Sequence, residues 1–203
     1  MTGRHLTLDD IADARAYERQ RSEFRDHIIE LKKKRRVAVG PVVSVVFENR
    51  ETIRFQIQEM ARAERLLSDQ AIQTELDTYN PLIPEPGELS ATLYVELTSR
   101  EEMEHWLPRL VGIEQAVRLE IHPAGNGAGP TVISCLVDPD HAAHLTREEV
   151  TAAVHFVRFE LSAEQVVQFR TGQVALGIDH PAYRESTVLG QDTKDSLLAD
   201  LEG

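Results

Sequence analysis

The chain has 203 residues, with 22 Lys plus Arg against 34 Asp plus Glu, and a formal net charge of −12. Hydrophobic residues make up 41% and charged residues 28%, too apolar a balance for a disordered chain. The acidic excess argues against general nucleic-acid binding, and the one Cys rules out an internal disulfide or a thiolate metal site. No apolar run approaches the roughly 18 residues of a membrane span. The first residues, Met1-Thr2-Gly3-Arg4-His5, lack the apolar segment of a secretion signal. The expected location is therefore the cytoplasm.

Residues 1–78 read as helix-rich. Thr7 and Asp10 pair as a helix start ahead of Ile11, predicting a helix over 8–19. Phe24, Ile28 and Leu31 share one face of a second helix over 23–35. The β-branched stretch 37–47, punctuated by Gly40-Pro41, predicts two short strands or one interrupted strand. Asn49 can then cap a long helix over 50–68. Three prolines in 79–88 make an extended connector.

The strand-rich part is 89–203. Leu93, Val95 and Leu97 alternate with polar residues as a half-buried strand. Ser99 and Glu102 form a capping box for a helix to about Leu110, closed by Gly112. Strands follow at 117–121 and 132–137, joined by a Gly-rich hairpin loop. Thr146 and Glu149 open a short helix, 154–161 is a strand, and Ser162 with Gln165 starts a helix ended by Gly172. A strand over 174–178 and a terminal helix over 193–201, capped by Asp192, complete the pattern. This order predicts an α+β fold, with a helical N-terminal half packed on a mainly antiparallel sheet of split-βαβ type. The whole chain reads as one integrated domain, with no internal repeat.

The 50–68 helix carries the first chemical signal. Ile53, Ile57, Met60 and Leu67 form an apolar stripe with Glu64 in its middle, while Glu51, Arg54, Gln58, Glu59, Arg62 and Arg65 mostly face away. An unpaired carboxylate on such a stripe is costly, so it should pair, ligate a metal or hold a proton; a structural salt bridge is the plainer reading. His155 shares a strand face with Val157, Phe159 and Leu161, and His180 shares one with Val174, Leu176 and Ile178. If those strands are neighbours, both histidines converge on Glu64, with Glu59 or Tyr183 beside them. Glu plus two His suits a divalent metal or acid–base chemistry; the alternative is two histidines bonded to backbone. No cofactor-binding motif is identifiable.

Three further features are weaker. Glu102 and His105 have di-iron spacing but lack the second pair such sites need. Asp138, Asp140, His141 and His144 form a polar loop. The 32–36 basic run, Lys32-Lys33-Lys34-Arg35-Arg36, ends a helix, where cations complement the dipole, or it contacts RNA. Cys135 shares parity with Ile133 and Val137, as a small core residue does.

Several stretches carry a family resemblance: Arg35-Arg36-Val37-Ala38-Val39-Gly40-Pro41, the run from Phe47 to Met60, Tyr79-Asn80-Pro81-Leu82-Ile83-Pro84, the run from Arg109 to Glu114, the run from Val154 to Leu161, and Asp179-His180-Pro181-Ala182-Tyr183. Their order and spacing resemble the bacterial domain-of-unknown-function family 3501 over about Leu6 to Leu201. The resemblance implies no assigned activity and no catalytic residues to carry over. It does imply gene company with rubrerythrin-like proteins and heterodisulfide-reductase-like iron–sulfur proteins. The resulting expectation is a non-enzymatic accessory protein of a redox or peroxide-response system, with one of those proteins as partner. The alternatives are a small metal-binding protein or metalloenzyme, and an RNA-contacting protein. A homodimer is the commonest oligomer for such a chain.

Overall fold

The computed structural model describes residues 4–123, 129–137 and 150–203. Two compact units emerge, one formed by 1–34 with 48–84, the other by 35–47 with 85–203.

The first unit is helical. Thr7 and Asp10 do form a capping box, but on a single 3-10 turn, Leu8–Asp10. One helix, α1 (Ala14–Arg35), then replaces the two predicted ones. It holds neither Gly nor Pro, so nothing breaks it at 20–22. The Asp13 carboxylate accepts from the amides of Arg15 and Ala16, both at 2.9 Å, and starts the helix. Asn49 caps α2 (Arg50–Glu64) through the amides of Glu51 and Thr52. This helix stops short of 68 because Arg65 takes a left-handed conformation, φ 56°. The chain re-enters α3 (Asp69–Tyr79), capped by Ser68. A small core of Leu6, Ile53, Ile57, Leu76 and Ile83 joins these elements.

Among the described residues, the second unit contains eight strands. They are β1 (Arg36–Val39), β2 (Val43–Glu48), β3 (Glu88–Val95), β4 (Val117–His122), β5 (Thr131–Ser134), β6 (Val154–Glu160), β7 (Gln173–His180) and β8 (Tyr183–Val188). Three helices among the described residues accompany them: α4 (Arg100–Trp106), α5 (Ala163–Thr171) and α6 (Gln191–Glu202). The α+β class holds, with the strands divided between two four-stranded sheets, β1-β2-β3-β6 and β5-β4-β7-β8. Pairings β1–β2, β3–β6, β4–β5, β4–β7 and β7–β8 are all antiparallel.

The sheets meet along two seams. At one, Leu136 and Arg158 exchange backbone hydrogen bonds of 2.7 and 2.9 Å, joining the end of β5 to β6. At the other, the Thr187 hydroxyl of β8 donates to the Ala38 carbonyl of β1 at 2.7 Å. The strands therefore follow one another around a ring, β1-β2-β3-β6-β5-β4-β7-β8. Eight strands enclose an interior that side chains can just fill. Alternate residues do so here: Leu89, Ala91 and Leu93 from β3, Val117, Leu119 and Ile121 from β4, Val157 and Phe159 from β6, and Val174, Leu176 and Ile178 from β7 belong to one continuous core.

A turn and a buried cation hold the β1–β2 hairpin in place. Gly40 sits at φ +73°, and a Cβ there would lie 2.5 Å from the Tyr183 hydroxyl, so only glycine fits. Arg35, 1% exposed, donates from Nε to the Phe47 carbonyl at 2.8 Å and from Nη1 to Ser196 Oγ at 3.0 Å, and its Nη2 pairs with Asp200. It thereby ties the hairpin to α6. Arg35→Ala removes one partner of a buried ion pair and should cost about 3–5 kcal/mol; urea denaturation of the variant against the parent checks it.

Candidate functional site

His155 and His180 both end up on the inner face of the ring, at strand ends, and both meet the stretch 111–114. His180, 9% exposed, places Nε2 3.0 Å from the Val111 carbonyl, while its Nδ1 accepts from the Ala182 amide at 3.2 Å. His155, 1% exposed, places Nε2 2.9 Å from both the Ala152 carbonyl and Thr151 Oγ1. Its Nδ1 faces Glu114 Oε2 at 3.9 Å. The carboxylate opposite His155 is thus Glu114, not the predicted Glu64.

Glu114, 2% exposed, sits in a 3-10 turn, Ile113–Gln115, opened by Gly112 at φ 87°. Its Oε2 is buried and accepts no hydrogen bond from any described residue. The Cys135 thiol donates to the Glu114 carbonyl at 3.0 Å. Burial, aided by the Glu114 charge, pushes this thiol up to about 11, so it is no thiolate nucleophile at neutral pH. Burial lowers the His155 pKa, against the opposing pull of Glu114, and favours neutral imidazole. With the Nε2 proton given to the Ala152 carbonyl, the Nδ1 lone pair faces a carboxylate oxygen. Two acceptors then share a dry gap, an arrangement that a proton or a cation would relieve.

The other predicted residues serve elsewhere. Glu64 is the last residue of α2 and is exposed, and Leu67, expected to continue its stripe, lies past the helix end and is 83% exposed. The helix ends a turn before the stripe its spacing predicts, so Glu64 needs no buried partner. Glu59 belongs to the helical unit, where Oε1 accepts from the Tyr17 hydroxyl at 2.7 Å and Arg21 grips both oxygens at 2.8 and 2.9 Å. The Arg21 bonds hold its carboxyl down to about 2. The Tyr183 hydroxyl donates to the Val39 carbonyl at 2.7 Å and accepts from the Val42 amide at 3.2 Å, which seals the hairpin turn.

Among the described residues, no three His, Cys, Asp or Glu side chains gather as a metal-ligand set. The Glu102 carboxylate is taken up by capping α4. The loop residues Asp138, Asp140, His141 and His144, and the helix predicted after Thr146, lie outside the described residues. The basic run is partly consumed by folding: Arg35 is buried, Arg36 pairs with Glu96, and Lys33 reaches Glu30 at 2.6 Å. No helix among the described residues is long and apolar enough to cross a membrane.

An α+β chain with a strand ring, a separate helical unit and a buried His–Glu pair is the class that these observations define. The family described as "Protein of unknown function (DUF3501)" matches residues 5–201, and the chain belongs to it. It is also similar to a crystal structure of a novel protein of unknown function from Burkholderia pseudomallei K96243. Identity is 35%, with 97% of this chain and 98% of that one covered, at a TM-score of 0.85. No curated protein matches.

The lowered pKa of His155 has a signed consequence. The unfolded chain takes up the proton near the ordinary value of 6.5, whereas the folded chain resists it. Stability should therefore decline as pH falls below 6.5, until the folded histidine itself protonates. Melting temperature against pH should show this limb in the parent and lose it in His155→Gln.

Proposed function

We propose that this member of the family is a non-enzymatic accessory protein that acts by binding a partner. The observation that carries this reading is where the polar atoms go. His155 Nε2, His180 Nε2 and the Tyr183 hydroxyl each meet a backbone carbonyl, and Glu59 is locked between Tyr17 and Arg21. Side chains bound in this way position the fold and are poorly placed to move protons on a substrate. The finer reading is service to a cytoplasmic redox or peroxide-response system, with a rubrerythrin-like or iron–sulfur protein as partner. It is supported by the gene company that the family resemblance implies, which is an argument by association.

A second reading is a small metal-binding protein. Its support is the orphaned Glu114 Oε2 facing His155 Nδ1 across 3.9 Å. That pair would supply one nitrogen and one oxygen ligand to a divalent ion, with water or further groups needed to complete it.

One preparation distinguishes the two. The purified protein is analysed for metals, then titrated against a purified rubrerythrin-like protein and a purified heterodisulfide-reductase-like iron–sulfur protein, followed by sedimentation. The accessory reading expects a saturable complex and no stoichiometric metal. Stoichiometric metal that disappears in His155→Ala moves the protein to the second reading. Neither complex nor metal removes both.

A further inference from the structure

We propose that the helical unit carries a binding site for a small monocarboxylate bearing a hydrogen-bond donor, such as an amino or hydroxy acid, with Arg54 as its anchor. This site stands apart from the partner-protein reading and from the His155–Glu114 pair.

The face of α2 read from the sequence as solvent-facing is partly covered: Glu51 and Arg62 are exposed, but Arg54 and Glu59 are half-buried. Gln58 is buried and fixed to Ala12 by two bonds, accepting from its amide at 3.0 Å and donating to its carbonyl at 2.9 Å. Beside it opens a cleft of about 420 Å³ whose walls include Tyr17, Gln20, Glu23, Phe24 and Arg54. That volume is in the range of small-molecule sites.

Most polar groups around the cleft are already engaged. Asp10 pairs with Arg50 at 2.6 Å, Tyr17 donates to Glu59, and His27 lies 2.5 Å from Glu51. Arg21, Arg50 and Arg62, on the same two helices, have carboxylate partners, and Arg15, Arg19 and Arg25, which have none among the described residues, are exposed. Arg54 differs. It makes no hydrogen bond or ion pair with any described residue, and its Nε is buried without an acceptor. Its guanidinium carbon lies 4.5 Å from the Phe24 ring centroid, and Phe55 braces that ring edge-on at 5.6 Å.

A guanidinium held on an aromatic ring has lost much of its freedom before any ligand arrives. Its two terminal nitrogens form a fork that matches a carboxylate bidentately. Gln20 and Glu23 are the other lining groups with no partner among the described residues. Glu23 disfavours a second negative charge on the ligand and accepts from an amino or hydroxyl group. Gln20 offers both a donor and an acceptor. The uncommitted groups therefore complement one carboxylate plus one donor.

The test is an amide NMR titration of the full chain with lactate, glycine, succinate and ethanolamine. Lactate or glycine should give saturable shifts centred on Gln20, Phe24 and Arg54, with millimolar affinity, and ethanolamine should not. Arg54→Lys keeps the charge but loses the fork, and should weaken binding about tenfold or more. Glu23→Gln removes the opposing charge and should tighten succinate several-fold. The proposal is overturned by the absence of saturable carboxylate binding, by equal shifts with ethanolamine, or by undiminished binding in folded Arg54→Lys. Should Arg54→Lys fail to fold, Glu23→Gln still decides: no gain in succinate affinity overturns the site.

Discussion

The strand-rich unit depends on a charge placed where water cannot reach it. A buried guanidinium is tolerated only when its donors are matched, and Arg35 finds acceptors on both the β2 backbone and the α6 side chains. Two segments distant in sequence are thereby held to one cation. Lysine could not substitute, because a single ammonium does not present donors in a planar fork. The arrangement also explains why a run of five basic residues need not mark a nucleic-acid surface: its fourth member is interior and its fifth pairs with Glu96.

The helical unit solves a similar problem by pairing at partly exposed positions. Glu59 gathers Tyr17 and Arg21 from α1, and Arg50 reaches Asp10 from the start of α2. Each carboxylate settles a neighbouring cation and fixes a helix contact. Arg54 breaks this pattern by resting on an aromatic ring, with no carboxylate among the described residues paired to it.

The period-two elements were the most legible in the sequence. Alternation at 117–121, 154–161 and 174–178 located β4, β6 and β7, and it put His155 and His180 on the inward faces where they are found. Capping chemistry located the starts of α2, α4 and α5. The terminal helix starts at Gln191 with Gly190 as its N-cap, ahead of the expected cap Asp192. Strand β8 is not legible because Arg184, Glu185, Ser186 and Thr187 give it little apolar alternation. Glu64 misled because a helical stripe assumes the helix continues, and no residue type at Arg65 announces a left-handed turn. Glu114 was illegible for a different reason. Its burial comes from a 3-10 turn docked against His155, and a lone Glu in a short loop carries no periodic signature. Arg54 was hidden likewise, since its partner ring belongs to another helix.

The seam between β8 and β1 constrains how the molecule is made. The strands that meet there come from opposite ends of the ring-forming sequence, so a chain emerging from the ribosome holds β1 long before β8 exists. Until the late strand arrives, the barrel wall stays open and its valines, leucines and isoleucines stay wet. Such distant pairings delay folding and lengthen exposure to aggregation. Nascent copies of this protein would therefore depend on chaperone shelter more than a helical bundle of equal length.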